Sequence, residues 1–398
     1  MRGWAWVAVA ALAVSSSATA WAAIPRDTAR RRILAGPVRR LFRAYRMAAL
    51  RWFLWWFGWP HLVDVVLGAR GKRGLATPST VVWKEGRASL RRCTGAGASG
   101  NTGGTPVLVV HALVTKPWIL DLTPDRSLVG HLRKGHDVFL LDWGDPDVRD
   151  AQRGMRDYVA TLHQAQRVVS KLTGSAEVHL VGYCLGATVC LLHLAGRPRG
   201  VASAALLAPM VDFAVPGGLQ PLLAHHALRP VLLLDSGGCV PAAVIRESFH
   251  GLRPRAVRTV WRRVTMRPDP EYKHFYNAFA RWAWRHRRLP GALFFDLVDL
   301  FRKNPLVPSP TTGKPSPLAA IDVPLLVAIA EHDHIVPSGS SHAITSVPGL
   351  DVEVATMASG HVSMLVGSAA ATTLWPRLTG WLAEHEHARQ RQRGDTQR

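Results

Sequence analysis

Read for apolar and polar positions, residues 77–385 break into short apolar runs separated by longer amphipathic stretches. The runs VLVV (107–110), HDVFLLDW (136–143), VHLVGYC (178–184), ASAALLAP (202–209) and VPLLVAIA (323–330) are apolar at successive positions, which predicts strands buried on both faces. DVEVATM (351–357) predicts one more. Between them, residues 150–172 and LGATVCLLHLAG (185–196) carry helical periodicity. Strands alternating with helices predict an α/β fold, a mostly parallel sheet with helices on both faces. VVWKEGRASLRRC (81–93) predicts a strand pair ahead of that sheet, followed by the loop TGAGASGNTGG.

The alternation stops between 211 and 318. That stretch is rich in Arg, Trp, Phe and Pro, with helical patterns and no strand-like run longer than 231–234. It predicts a helical lid inserted into a core made of 77–210 and 319–385. No internal repeat is visible.

The first 24 residues are uncharged after Arg2, and Ala20-Trp21-Ala22 fits a small-x-small cleavage site. The segment reads as a secretory signal, a membrane anchor or an over-extended start. In 25–76, arginines alternate with large apolar groups. Trp52, Trp55, Trp56 and Trp59 suit one broad helix face that Pro60 ends, which predicts an interfacial helix with its arginines outward.

The 398 residues carry a formal charge of +22, concentrated in 26–51, 246–288 and a basic tail at 386–398. Such fields attract polyanions or anionic surfaces. No helix-turn-helix, RNP-like or zinc-finger pattern accompanies them, so the expected partner is an anionic lipid surface or the phosphates of coenzyme A, with no nucleic acid. The four cysteines form no CxxC pair, so neither a metal site nor a disulfide framework is expected.

One of those thiols has the setting of a catalytic nucleophile. Gly182-Tyr183-Cys184-Leu185-Gly186 follows a predicted strand and opens a predicted helix, the context of a nucleophile elbow. The sharp turn would lift Cys184 from the sheet edge, and the helix dipole would favour its thiolate. Cys190, two turns further on, reads as core. An elbow nucleophile needs an acid and then a histidine downstream. Asp333 in EHDHIVP follows one strand and His361 in ASGHVSMLVG follows the last, so Asp333 is the expected acid and His361 the expected base. Glu331 is the reserve acid, and His334 reads as structural. The oxyanion hole should take backbone N–H groups from Leu185 and from the loop after 107–110, at Val114 or Leu113.

TPVLVVHALVTKPWILDLTPDRSLVGHLRKGHDVFLLDWGDP, VHLVGYCLGATVC, AEHDHIVP and SGHVSMLVG together resemble the polyhydroxyalkanoate synthases, most of all their class III catalytic subunit. The resemblance runs over 77–385, and TPSTVVWKEGRASLRR extends it upstream. It implies the α/β-hydrolase fold, with Cys184 carrying the acyl group, His361 as its base and Asp333 as the acid. Two features depart from the family pattern. Ala187 stands where a second glycine usually follows the elbow, and RWAWRHRRLPGALFF is basic where relatives tend to be acidic. The apolar N-terminal segment is also outside that pattern.

A thiol suits acyl transfer. Loading from a coenzyme A thioester gives another thioester, and release to a hydroxyl then forms an oxygen ester downhill. The resemblance thus implies a 3-hydroxyacyl-CoA substrate, no cofactor and a polyester product. The implied partners are a granule or membrane surface, a second, PhaE-like synthase subunit and a second copy in a homodimer. Because coenzyme A is a cytoplasmic metabolite, the expected location is the cytoplasm, at a granule or inner-membrane surface. A thioesterase or intracellular polyester depolymerase would share the three catalytic residues. A granule-binding protein without catalysis would not need them.

Overall fold

A computed structural model describes residues 74–94, 104–252, 270–308 and 313–396. The apolar segment 1–24, the Trp-rich stretch up to 73, most of the glycine-rich loop and part of the basic stretch 246–288 lie outside them. All described residues fall within one compact unit, 72–398.

That unit is organised on an eight-stranded sheet. Its strands are β1 (Ser79–Glu85), β2 (Ala88–Cys93), β3 (Val107–Val110), β4 (Val138–Asp142), β5 (Val178–Tyr183), β6 (Val201–Leu207), β7 (Leu325–Ala330) and β8 (Val352–Met357). They lie side by side in the order β1-β2-β4-β3-β5-β6-β7-β8. The pair predicted at 81–93 is an antiparallel hairpin, and β2 also runs antiparallel to β4. Every other pairing is parallel. Each residue of β3, β5, β6 and β7 is buried, as continuous apolar runs require when both faces are covered.

Two helices set the site. α1 (Met155–Thr173) buries Met155, Tyr158, Leu162, Ala165 and Val169 at helical spacing, and Gly174, left-handed at φ 69°, ends it. α2 (Leu185–Ala195) is apolar all round and is buried along its first seven residues. It packs on both α1 and β5. A helix covered on every side cannot be amphipathic.

Between β6 and β7 the described residues hold α3 (Ala242–Leu252), α4 (Pro270–Ala283) and α5 (Gly291–Lys303), with a short antiparallel pair joining 239–240 to 289–290. The helical character predicted for 211–318 is present, but the apolar run 231–234 is not a strand. Pro230 opens a single 3-10 turn there, and Leu232 is 70% exposed because no strand edge lies beside it. α4 packs over 117–123, and α5 packs on α1. Asp296 of α5 accepts a hydrogen bond from the Met155 N–H at 2.7 Å, filling one of the donors that α1 leaves open at its start.

In the described part of the basic stretch 246–288, three arginines are taken up by contacts within the fold. Arg287 is only 3% exposed, Arg288 pairs with Asp235, and Arg246 bonds Glu247 and lies over the Trp284 ring. Arg287 ties the insertion to Asp142 at the end of β4. The terminal helix α6 (Leu374–Thr396) runs on through most of the predicted basic tail. No helix among the described residues is long and apolar enough to cross a membrane.

Candidate active site

Cys184 sits at the junction of β5 and α2 with φ 55° and ψ −126°, a conformation that non-glycine residues seldom adopt. Such a backbone costs on the order of 1–3 kcal/mol and persists only where its surroundings fix it. Here its N–H donates to the Leu207 carbonyl at 2.8 Å, and its carbonyl accepts from Ala187 and Thr188 in the first turn of α2. The elbow is therefore tied to both neighbouring elements.

The flanking glycines have separate steric reasons. A Cβ on Gly186 would stand 2.4 Å from the His111 carbonyl oxygen and 2.5 Å from that of Val110, so a bare backbone lets α2 approach the end of β3. A Cβ on Gly182 would stand 2.6 Å from the Ala187 Cα. A bare Gly182 thus lets the first turn of α2 pack against β5. Gly186→Ala should cost about 1–3 kcal/mol, the range for overpacking. It should also push the 111–116 loop away from the elbow, lowering activity. Thermal denaturation beside steady-state turnover checks both effects, and a variant with the parent's stability would show that the approach is not tight.

The structure brings the three residues predicted for catalysis together. Asp333 Oδ2 lies 2.6 Å from His361 Nδ1. Asp333 Oδ1 accepts from the N–H groups of Ile335 and Val336 at 2.8 and 2.9 Å, which fixes the carboxylate. With Nδ1 taken by Asp333, Nε2 is the ring nitrogen left for Cys184, whose side chain acts on the ring. Burial by itself would lower the His361 pKa. The negative charges of Cys184 and Asp333, with the hydrogen bonds both make to the ring, outweigh burial and raise it to about 10. The imidazolium form of His361 is thus favoured. Both are nearly closed off, with Cys184 7% and His361 3% exposed.

The reserve acid Glu331 is exposed and makes no bond to His361, because its carboxylate falls two residues short of the loop position that faces the ring. Cys190 is fully buried in α2, and burial pushes its thiol well up. The four cysteines are all buried and free. Leu185 is the first residue of α2, where an N–H has no partner within the helix. The 111–114 segment, with Leu113 and Val114, follows β3 directly and lies against Gly186 of the elbow. Among the described residues, no cluster of His, Cys, Asp and Glu could hold a metal ion.

Sequence reasoning missed the support under the base. The Tyr183 ring lies 5.1 Å from the His361 ring, and its hydroxyl donates to the His361 carbonyl at 3.4 Å. Its place beside the nucleophile was the available clue. On the insertion side, Phe275, Phe279 and Trp282 form a row of contacting rings along α4, above the 117–123 segment.

Residues 107–373 match the model of the alpha/beta hydrolase family. Among curated proteins, the chain is 31% identical over 318 residues to the poly(3-hydroxyalkanoate) polymerase subunit PhaC of Haloferax mediterranei, covering 77% of this chain and 64% of the relative. It is 28% identical to the subunit of the same name from Thiocystis violacea, over 77% of this chain and 88% of that one. To the Cupriavidus necator protein of that name it is 32% identical, over 67% of this chain and 47% of the relative. The chain thus spans less than two thirds of the Haloferax and Cupriavidus relatives.

Proposed function

The chain belongs to the alpha/beta hydrolase family, and from that premise we propose that it is a polyhydroxyalkanoate synthase, transferring 3-hydroxyacyl groups from coenzyme A thioesters through Cys184 to a growing polyester. One observation carries the reading: a thiol occupies the elbow, and a buried histidine that acts with it is held by a fixed carboxylate. The similarity to named poly(3-hydroxyalkanoate) polymerases supports the substrate class.

In the proposed cycle the Cys184 thiolate attacks the thioester carbonyl. The oxyanion that forms takes hydrogen bonds from the N–H groups of Leu185 and of Val114 or Leu113. Collapse breaks the bond to the coenzyme A sulfur, and His361 gives up its Nε2 proton to that leaving thiolate. Neutral His361 then accepts the proton of the incoming chain hydroxyl, whose oxygen attacks the acyl-thioester and expels the Cys184 thiolate. His361 suits this second duty better than Asp333, whose two oxygens are taken by the ring and two backbone N–H groups. Loading exchanges one thioester for another and elongation makes an oxygen ester, so the driving force falls on the bond-making step.

Water is the competing nucleophile. The near-complete burial of Cys184 and His361 favours chain growth over hydrolysis. A granule or membrane surface, a second synthase subunit and a second copy of the chain are the partners this reading proposes, and the cytoplasm is the compartment that supplies coenzyme A thioesters. Incubation with 3-hydroxybutyryl-CoA tests the reading. Polymer with coenzyme A release is the expected result. Free 3-hydroxybutyrate with the same release would make the protein a hydrolase, and no release would leave a non-catalytic binder.

A further inference from the structure

The loop proposed to donate the second oxyanion hydrogen bond is held from three sides. The Trp143 Nε1–H donates to the His111 carbonyl at 2.9 Å. The Arg287 backbone N–H donates to the Val114 carbonyl, also at 2.9 Å. The Trp282 Nε1–H donates to the Lys116 carbonyl at 2.9 Å. Trp143 follows β4 in the core sheet, whereas Trp282 and Arg287 both come from the insertion.

Arg287 is anchored in turn by its side chain. Its guanidinium donates to Asp142 at 2.5 Å and lies 3.3 Å from Asp145, to which Lys116 also bonds. Arg287 is 3% exposed, so the pair with Asp142 is largely closed to water. Burial pushes the Asp142 carboxyl up, and the Arg287 charge overrides it, leaving that carboxyl below its usual range. The 282–287 segment is thereby pinned to the end of β4, with the 111–116 loop bracketed between them.

Oxyanion donors are effective only when fixed at the place where charge develops, and misplacement by about 1 Å can cost roughly 100-fold. Loops are the least constrained part of a fold, so their precision comes from what grips them. Two of the three backbone grips here belong to the insertion. We propose that Trp282 and Arg287 are positioning residues for acyl transfer: the insertion holds the 111–116 loop in its oxyanion-binding conformation. The inference rests on the reading of that loop as an oxyanion donor but not on polymer being the product. An insertion swung away from the core would release the Val114 and Lys116 carbonyls together and leave a weak catalyst.

Arg287→Ala would strand Asp142 and destabilise the whole protein. Trp282→Phe is the cleaner test, since it removes only the N–H to Lys116 and keeps an apolar ring, and Arg287→Lys keeps the charge while loosening the grip. Two rates are read on each full-length variant: acylation of Cys184 by p-nitrophenyl butyrate, and alkylation of Cys184 by iodoacetamide. Acylation passes through an oxyanion and alkylation does not. Acylation should fall about tenfold in Trp282→Phe, through kcat with little change in KM, while alkylation stays within about twofold. Arg287→Lys should show the same split, less steeply. Equal rates in variant and parent would overturn the proposal, and so would a matched fall in both rates. A parent enzyme acylated by the ester but unable to make polymer would remove the synthase reading and leave this one intact. A parent that cannot be acylated would remove both.

Discussion

Cys184→Ala should release no measurable coenzyme A from 3-hydroxybutyryl-CoA, a loss of about 10⁴-fold or more, in a protein that stays folded. The loss is nearly complete because no other thiol is placed to substitute. Cys190 lies fully buried in α2, and burial raises its thiol far out of the useful range. Cys93 is pushed up to about 12, by burial first and then by the Asp121 charge. Cys239 is raised as well, chiefly by burial, and donates to the Asp147 carbonyl. The fold persists because the elbow keeps its backbone ties to Leu207, Ala187 and Thr188. Coenzyme A release measured with a thiol reagent, beside intact mass of the protein, checks it. A Cys184→Ala variant that still acquired an acyl group would end the assignment. Cys184→Ser is the informative companion. Its loading step would form an oxygen ester and dissipate the driving force, so it should acylate slowly and then stall without elongation.

Most of the sheet could be read from the chain because parallel strands in the middle of an α/β sheet are apolar at nearly every position. β3, β5 and β7 fell inside predicted runs, β6 overlapped its run from one residue earlier, and the largely apolar helix α2 began after the elbow as expected. The candidate triad was legible for a related reason: the topology puts each residue just past the carboxyl end of a strand, so order along the chain stands in for position in space. Asp333 follows β7 and His361 follows β8, and the two side chains meet at 2.6 Å. What could not be read lies where contacts depend on the insertion. Trp282 and Arg287 gave no sign in the sequence that they bond the Lys116 and Val114 carbonyls, because those contacts join elements more than 150 residues apart. Arg246, Arg287 and Arg288 counted toward a surface field because formal charge says nothing of partners, and Glu247, Asp142 and Asp235 supply theirs.

Asp333→Asn should reduce turnover by about 10²–10⁴-fold while the protein stays folded, and its effect on stability should depend on pH. Asparagine can keep its carbonyl oxygen on the Ile335 and Val336 N–H groups, but its amide then points an N–H at His361 Nδ1. To accept that bond the ring must carry its proton on Nε2, so a donor faces Cys184 where the first step needs a base. The thiol then keeps its proton, and iodoacetamide alkylation should slow along with turnover, unlike in Trp282→Phe. The sign of the pH effect follows from His361. Its pKa in the folded protein is raised to about 10 from an ordinary value of 6.5, so it contributes stability that is fully present below pH 6.5 and disappears as pH rises through 10. Without the Asp333 charge, burial has less to oppose it and the folded pKa falls. The variant should therefore be less stable than the parent by a few kcal/mol, roughly, below pH 6.5, with the gap closing toward pH 10. Urea denaturation of parent and variant across that window measures the gap directly. A gap that stayed constant with pH, or widened toward pH 10, would mean that His361 does not hold its proton between Asp333 and Cys184.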